Sequence, residues 1–71
     1  MKLYLQDREA ILELPSDIWV TGVAGKGLIV SSNRVRPYIA EYVSVARAQE
    51  IVREIYEYYR DGKNSYTLPL E

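Results

Sequence analysis

The sequence predicts an α+β fold: an antiparallel β-meander of four to five strands packed against one C-terminal α-helix (about 45–61), followed by a short extended tail. Three observations predict it. Residues 2–43 carry short β-branched, leucine and aromatic runs punctuated by turn residues. Near Ser44 the hydrophobic period changes from two to about 3.6. The length of 71 residues, 48% of them hydrophobic, accommodates one domain spanning residues 1–71.

"KLYL" and "AILEL" alternate, and "QDRE" between them is turn-compatible, so the opening reads as a hairpin. Pro15, Ser16 and Asp17 then break the chain. "IWVTGV" and "GLIVSS" flank "AGKG", a second hairpin whose glycines are expected to supply positive φ at its tip. "RPYIAEYVS" is a further strand, with Tyr38, Ala40 and Tyr42 expected on one side and Ile39, Glu41 and Val43 on the other. Pro37 stands at its entry, where a missing N–H is tolerated.

The helix begins after Ser44, whose hydroxyl suits an N-cap; Arg47 stands where a capping box would have an acid or amide. Val45, Ala48, Ile51, Val52, Ile55, Tyr58 and Tyr59 make one apolar stripe. Gly62 is the expected stop, and Arg60 complements the helix dipole near that end. In the tail, Tyr66, Leu68 and Leu70 alternate, as in an edge strand docked on its own sheet or on a neighbour's.

Composition narrows the chemistry. Cysteine and histidine are both absent, which removes disulfides, thiolate zinc sites, cysteine nucleophiles and Ser–His pairs. Carboxylate, lysine or tyrosine chemistry would need a concave pocket to shift a pKa, and a chain this small has little interior to form one. No signal peptide or membrane span is recognisable, so a cytoplasmic protein is expected. A domain of this size is marginally stable, which makes a homo-oligomer the most accessible source of further buried area.

Charge is uneven along the chain. Residues 20–40 hold Lys26, Arg34 and Arg36 without an acid, between acidic flanks, while the whole chain carries a net −1. That segment points to an anionic ligand; the overall balance is too acidic for a duplex-DNA binder. The stretch "TGVAGKGLIVSSNR" fails the phosphate-loop pattern, because Leu28 stands where Lys is required and a strand rather than a helix follows. Lys26, Arg34 and Arg36, with Tyr38, Tyr42 or Trp19 as stacking surfaces, are nevertheless the candidate ligand-binding residues. Lys26 and the two arginines lie at opposite ends of the expected sheet, so convergence calls for a dimer; solvated loop charge is the plainer account of each arginine alone. Tyr56, Tyr58, Tyr59 and Tyr66 are the candidate interface residues, since tyrosine joins a large ring to a polar tip, although core-edge packing explains them equally well. Trp19, between Ile18 and Val20 in a strand, reads as a core anchor in preference to a ligand platform.

Residues 42–71, "YVSVARAQEIVREIYEYYRDGKNSYTLPLE", resemble a small protein family of Gram-positive bacteria and their phages. In that family an aromatic-ending strand leads to a helix carrying "RA..I..EI..YY..GK" and then an "SY..P" tail. The matching residues are Arg47, Ala48, Ile51, Glu54, Ile55, Tyr58, Tyr59, Gly62, Lys63, Ser65, Tyr66 and Pro69. The opening "MKLYLQDREAILELPSDIWV" is similar to theirs as well. The resemblance supplies no catalytic residues; it implies a small accessory protein, often encoded by phages or other mobile elements.

The expected function is therefore non-enzymatic: a phage or prophage accessory protein of anti-defence type. It would bind, and sequester within a homo-oligomer, an anionic nucleotide-like signal. One alternative is a protein-interaction module that inhibits or tethers a host protein. Another is a weak single-stranded nucleic-acid binder. No cofactor, metal or membrane partner is expected.

Overall fold

The computed structural model describes residues 1–71 except Glu9, Pro15 and Ser16. The expected chain break at residues 15–16 lies outside the described residues. The chain forms β1 (Lys2–Tyr4), β2 (Ile11–Glu13), β3 (Ile18–Val23), β4 (Lys26–Ser31), β5 (Tyr38–Tyr42), α1 (Val45–Arg60) and β6 (Ser65–Thr67). The class is α+β, with the C-terminal helix where the period change puts it. The strands divide into two three-stranded sheets, ordered β2-β1-β6 and β3-β4-β5. The antiparallel meander is the second sheet. In the first, β1 pairs antiparallel with β2 and parallel with β6, in the register Lys2↔Ser65, Leu3↔Tyr66 and Tyr4↔Thr67. The tail thus docks on its own chain.

Strict alternation explains the first sheet. Leu3, Leu12 and Tyr66 occupy one row and are all buried, whereas Lys2, Glu13, Ser65, Tyr4, Ile11 and Thr67 turn outward. The inner face of the second sheet carries Ile29, Ala40 and Tyr42. These, with Leu5, Leu14, Leu68 and the buried stripe Ala48, Ile51 and Ile55 of α1, complete one core.

The helix lies chiefly on β4 and β3 and also touches β5 and β6. Its N-terminus is fixed by Ser44, whose hydroxyl accepts from the Arg47 amide at 3.1 Å. Gly62, at φ 77°, follows the C-cap Asp61. Gly27 sets how closely α1 approaches. A Cβ there would collide with the Ser44 carbonyl oxygen and lie 2.8 Å from the Ala48 Cβ. Of the glycines in "AGKG", only Gly25 supplies the turn. It shares a two-residue connection with Ala24, both at positive φ (82° and 51°), as a type I′ hairpin requires.

The second sheet departs from simple alternation at one point. Val30 pairs with Tyr38 and Ile29 with Ala40, so Ile39 is the extra residue of a β-bulge. Ile39, Ala40 and Tyr42 are buried together, while Tyr38 is 71% exposed. The expected sharing of one side by Tyr38 and Tyr42 is therefore lost.

Candidate functional site: the uncovered face of the second sheet

The two sheets differ in what they show to solvent. The outer face of β2-β1-β6 is largely polar. The outer face of β3-β4-β5 carries Trp19, Thr21 and Val23 on β3, Leu28 and Val30 on β4, and Tyr38 on β5. Such a face, apolar on both sides, is usual for a sheet covered on both sides. Here α1 covers one side, and among the described residues no element covers the other. Trp19 is 48% and Val23 52% exposed, and Val30, between Trp19 and Tyr38 in the same row, is shielded down to 9%. Trp19 and Tyr38 stand two strands apart, about 10 Å by ordinary strand spacing.

Four of the six candidate ligand residues lie toward one end of this sheet, and the bulge turns Tyr38 onto the same face as Trp19. The row Trp19–Val30–Tyr38 lies at the end of β4 from which the loop with Arg34 and Arg36 departs. That loop is firmly built. The Asn33 carboxamide oxygen accepts from the amides of Val35 and Arg36, both at 2.9 Å. The Ser31 hydroxyl donates to the Arg36 carbonyl at 2.8 Å and accepts from the Asn33 amide at 3.1 Å. Lys26 sits at the opposite end of β4, beside the Ala24–Gly25 turn, as the sequence suggests. Tyr42 is on the buried face, 3% exposed, and its hydroxyl donates to the Pro69 carbonyl at 2.8 Å. Burial pushes its pKa up to about 12, against the opposing pull of Arg47. It is a core residue, not a stacking surface.

The acid-free segment is not acid-free in space. Lys26 pairs with Glu41 at 3.5 Å on the outer face, and Arg36 pairs with Asp7 of the β1–β2 turn at 3.3 Å. Both acids lie outside residues 20–40, so the segment count could not reveal them.

The tyrosines nominated for an interface divide likewise. Tyr56, Tyr58 and Tyr59 are 64%, 36% and 50% exposed. Tyr66 is buried; its hydroxyl donates to Glu54 Oε1 at 3.1 Å, and its ring meets Tyr58 edge-on at 4.9 Å between centroids. Burial first, and then the Glu54 charge, raises its pKa well beyond the usual tyrosine value. Tyr66 is therefore an internal brace.

Gln6 escaped the sequence reading. Its carboxamide acts like a peptide unit against the free edge of β5, with Oε1 accepting from the Glu41 amide at 3.0 Å and Nε2 donating to the Glu41 carbonyl at 3.3 Å. The same Nε2 donates to the Pro69 carbonyl at 3.0 Å. A glutamine in a turn gives no sequence signal of such a role. Among the described residues, no group of three or more acids could hold a metal ion, and no helix is long and apolar enough to cross a membrane.

No family model matches this chain, and no curated protein or solved structure matches it either. The functional reading therefore rests on the residues themselves.

Proposed function

We propose that this chain is a non-enzymatic binding protein that docks the uncovered face of β3-β4-β5 against the surface of a partner protein. One observation carries the reading: tryptophan, tyrosine, valine and leucine share a face that no element among the described residues covers, whereas four of the six outward residues of the other sheet are polar. An aromatic centre with a charged rim, here Lys26 and Glu41, is the usual composition of a protein contact. A phage or prophage accessory protein acting on a host protein, the setting that the resemblance of residues 42–71 implies, belongs to this proposal. The test is affinity capture from the host with the wild type and two variants. Trp19→Ser should abolish recovery of a specific host protein, while Tyr58→Ala, at the helix end, should leave it intact. The reverse pattern would move the contact to the helix, and equal recovery by all three would reject both surfaces.

A second reading is favoured by the nearness of the Trp19–Tyr38 row to the Arg34 loop. A nucleotide-like anion would stack on the rings with its phosphate toward Arg34. Trp19 is the only tryptophan, so its fluorescence reports such stacking directly. Quenching by nucleotides that is lost in Arg34→Ala supports this reading; no quenching and no thermal stabilisation across a nucleotide panel excludes it.

A further inference from the structure

Among the described residues, the four edge strands β2, β6, β3 and β5 are not equally protected against pairing. β2 and β6 have three residues each, with Pro15 and Pro69 shortly beyond them. β5 is entered through Pro37, bulged at Ile39 and occupied at Glu41 by the Gln6 carboxamide. These are the devices by which proteins blunt sheet edges. β3 has none of them. It runs six residues, "IWVTGV", with no proline, charge or bulge.

Its hydrogen-bonding phase can be read from its ends. Ser32 N–H donates to the Asp17 carbonyl at 2.9 Å, and Asp17 N–H donates to the Ser32 hydroxyl at 3.1 Å. Val23 and Lys26 close the type I′ turn at the other end. Asp17, Trp19, Thr21 and Val23 therefore direct their peptide groups at β4, and Ile18, Val20 and Gly22 direct theirs outward. Among the described residues, no second strand meets that edge.

We infer that β3 is a pairing edge for a second copy of this chain, joined antiparallel about a two-fold axis through Val20. Only residues with outward peptide groups can exchange hydrogen bonds, which restricts the register. Centring on Val20 uses all three of them: Val20 faces Val20, and Ile18 faces Gly22 of the second copy. On the uncovered face the same register sets Trp19 against Thr21, a favourable aromatic–β-branched pair. It also sets Asp17 in one row with Val23 and then Lys26 of the second copy, so that unlike charges flank the junction at both ends. The strand itself holds no charge to repel its copy. The result is a continuous six-stranded sheet whose two uncovered faces meet on the same side, with Trp19 beside Thr21 at the junction. This inference rests on the edge and not on the docking role of that face, so either can fail alone.

The test combines particle mass with amide exchange on the wild-type protein. Light scattering at rising concentration should approach twice the 8.2 kDa chain mass. The amides of Ile18, Val20 and Gly22 should become protected from exchange in step with it, while those of β2 do not. Val20→Pro removes an outward N–H and no β3–β4 bond; with its circular dichroism unchanged, it should remain a monomer. A wild type that stays monomeric, or a dimer whose added protection lies away from β3, overturns the inference, as does a folded Val20→Pro dimer. If Val20→Pro does not fold, the wild-type exchange pattern alone decides.

Discussion

Ala24 and Gly25 occupy the same kind of backbone, yet only one of them is suited to it. A left-handed conformation costs an alanine about 1–2 kcal/mol, partly offset because glycine loses more freedom on folding. Ala24→Gly should therefore raise stability by about 0.5–1 kcal/mol in chemical denaturation. Gly27→Ala should do the opposite, lowering it by about 2–3 kcal/mol, since its new methyl group would strike the Ser44 carbonyl. The two buried tyrosines make stability depend on alkaline pH. Their folded pKa values lie above the ordinary 10 of an unfolded chain, Tyr42 at about 12 and Tyr66 also raised. The unfolded state therefore releases protons first, and stability present below pH 10 is lost as pH rises toward 12 and beyond, at about 1.4 kcal/mol per pH unit for each tyrosine. Tyr42→Phe should flatten that decline, measured as denaturation midpoints across the range. The sequence showed these residues but not their surroundings. Tyr42 and Tyr66 look like the exposed tyrosines until partners as distant as Pro69 and Glu54 are known.

At the scale of elements, local chemistry was legible and non-local pairing was not. Ser44, Gly62 and the spacing of Ala48, Ile51 and Ile55 define α1 without help from the rest of the fold, and Ser44→Ala should cost about 1 kcal/mol. The hairpins follow equally from their turns. The division into two sheets does not, because β1 reaches β6 from the far side of the sequence. The bulge is also silent: nothing in "PYIAEY" marks Ile39 as the extra residue, and it is the bulge that turns Tyr38 to the side of Trp19. Four of the six candidate ligand residues therefore lie toward one end of the second sheet. Trp19, Tyr38, Arg34 and Arg36 gather at one end, while Lys26 and Tyr42 do not join them. Gln6→Ala would open the β5 edge at Glu41 and detach a bond to Pro69. A loss of about 1 kcal/mol and faster amide exchange at Glu41 are expected, measured by denaturation and NMR.

Across the whole molecule, the tail is held from three directions. Tyr42 and Gln6 bind the Pro69 carbonyl, the Leu68 amide donates to the Tyr4 carbonyl at 3.0 Å, and Arg47 donates to the Glu71 carbonyl at 2.8 Å. β6 is thus a closing piece that stitches α1 and both sheets together. The parallel register of Lys2 with Ser65 joins the two described strands that lie farthest apart along the chain. The meander and the helix can assemble from neighbouring segments. β1 lacks its second neighbour until β6 docks, and only then does Tyr66 complete the buried row with Leu3 and Leu12. Contacts between such distant segments form slowly, so this latch is expected to close after the locally connected elements have met.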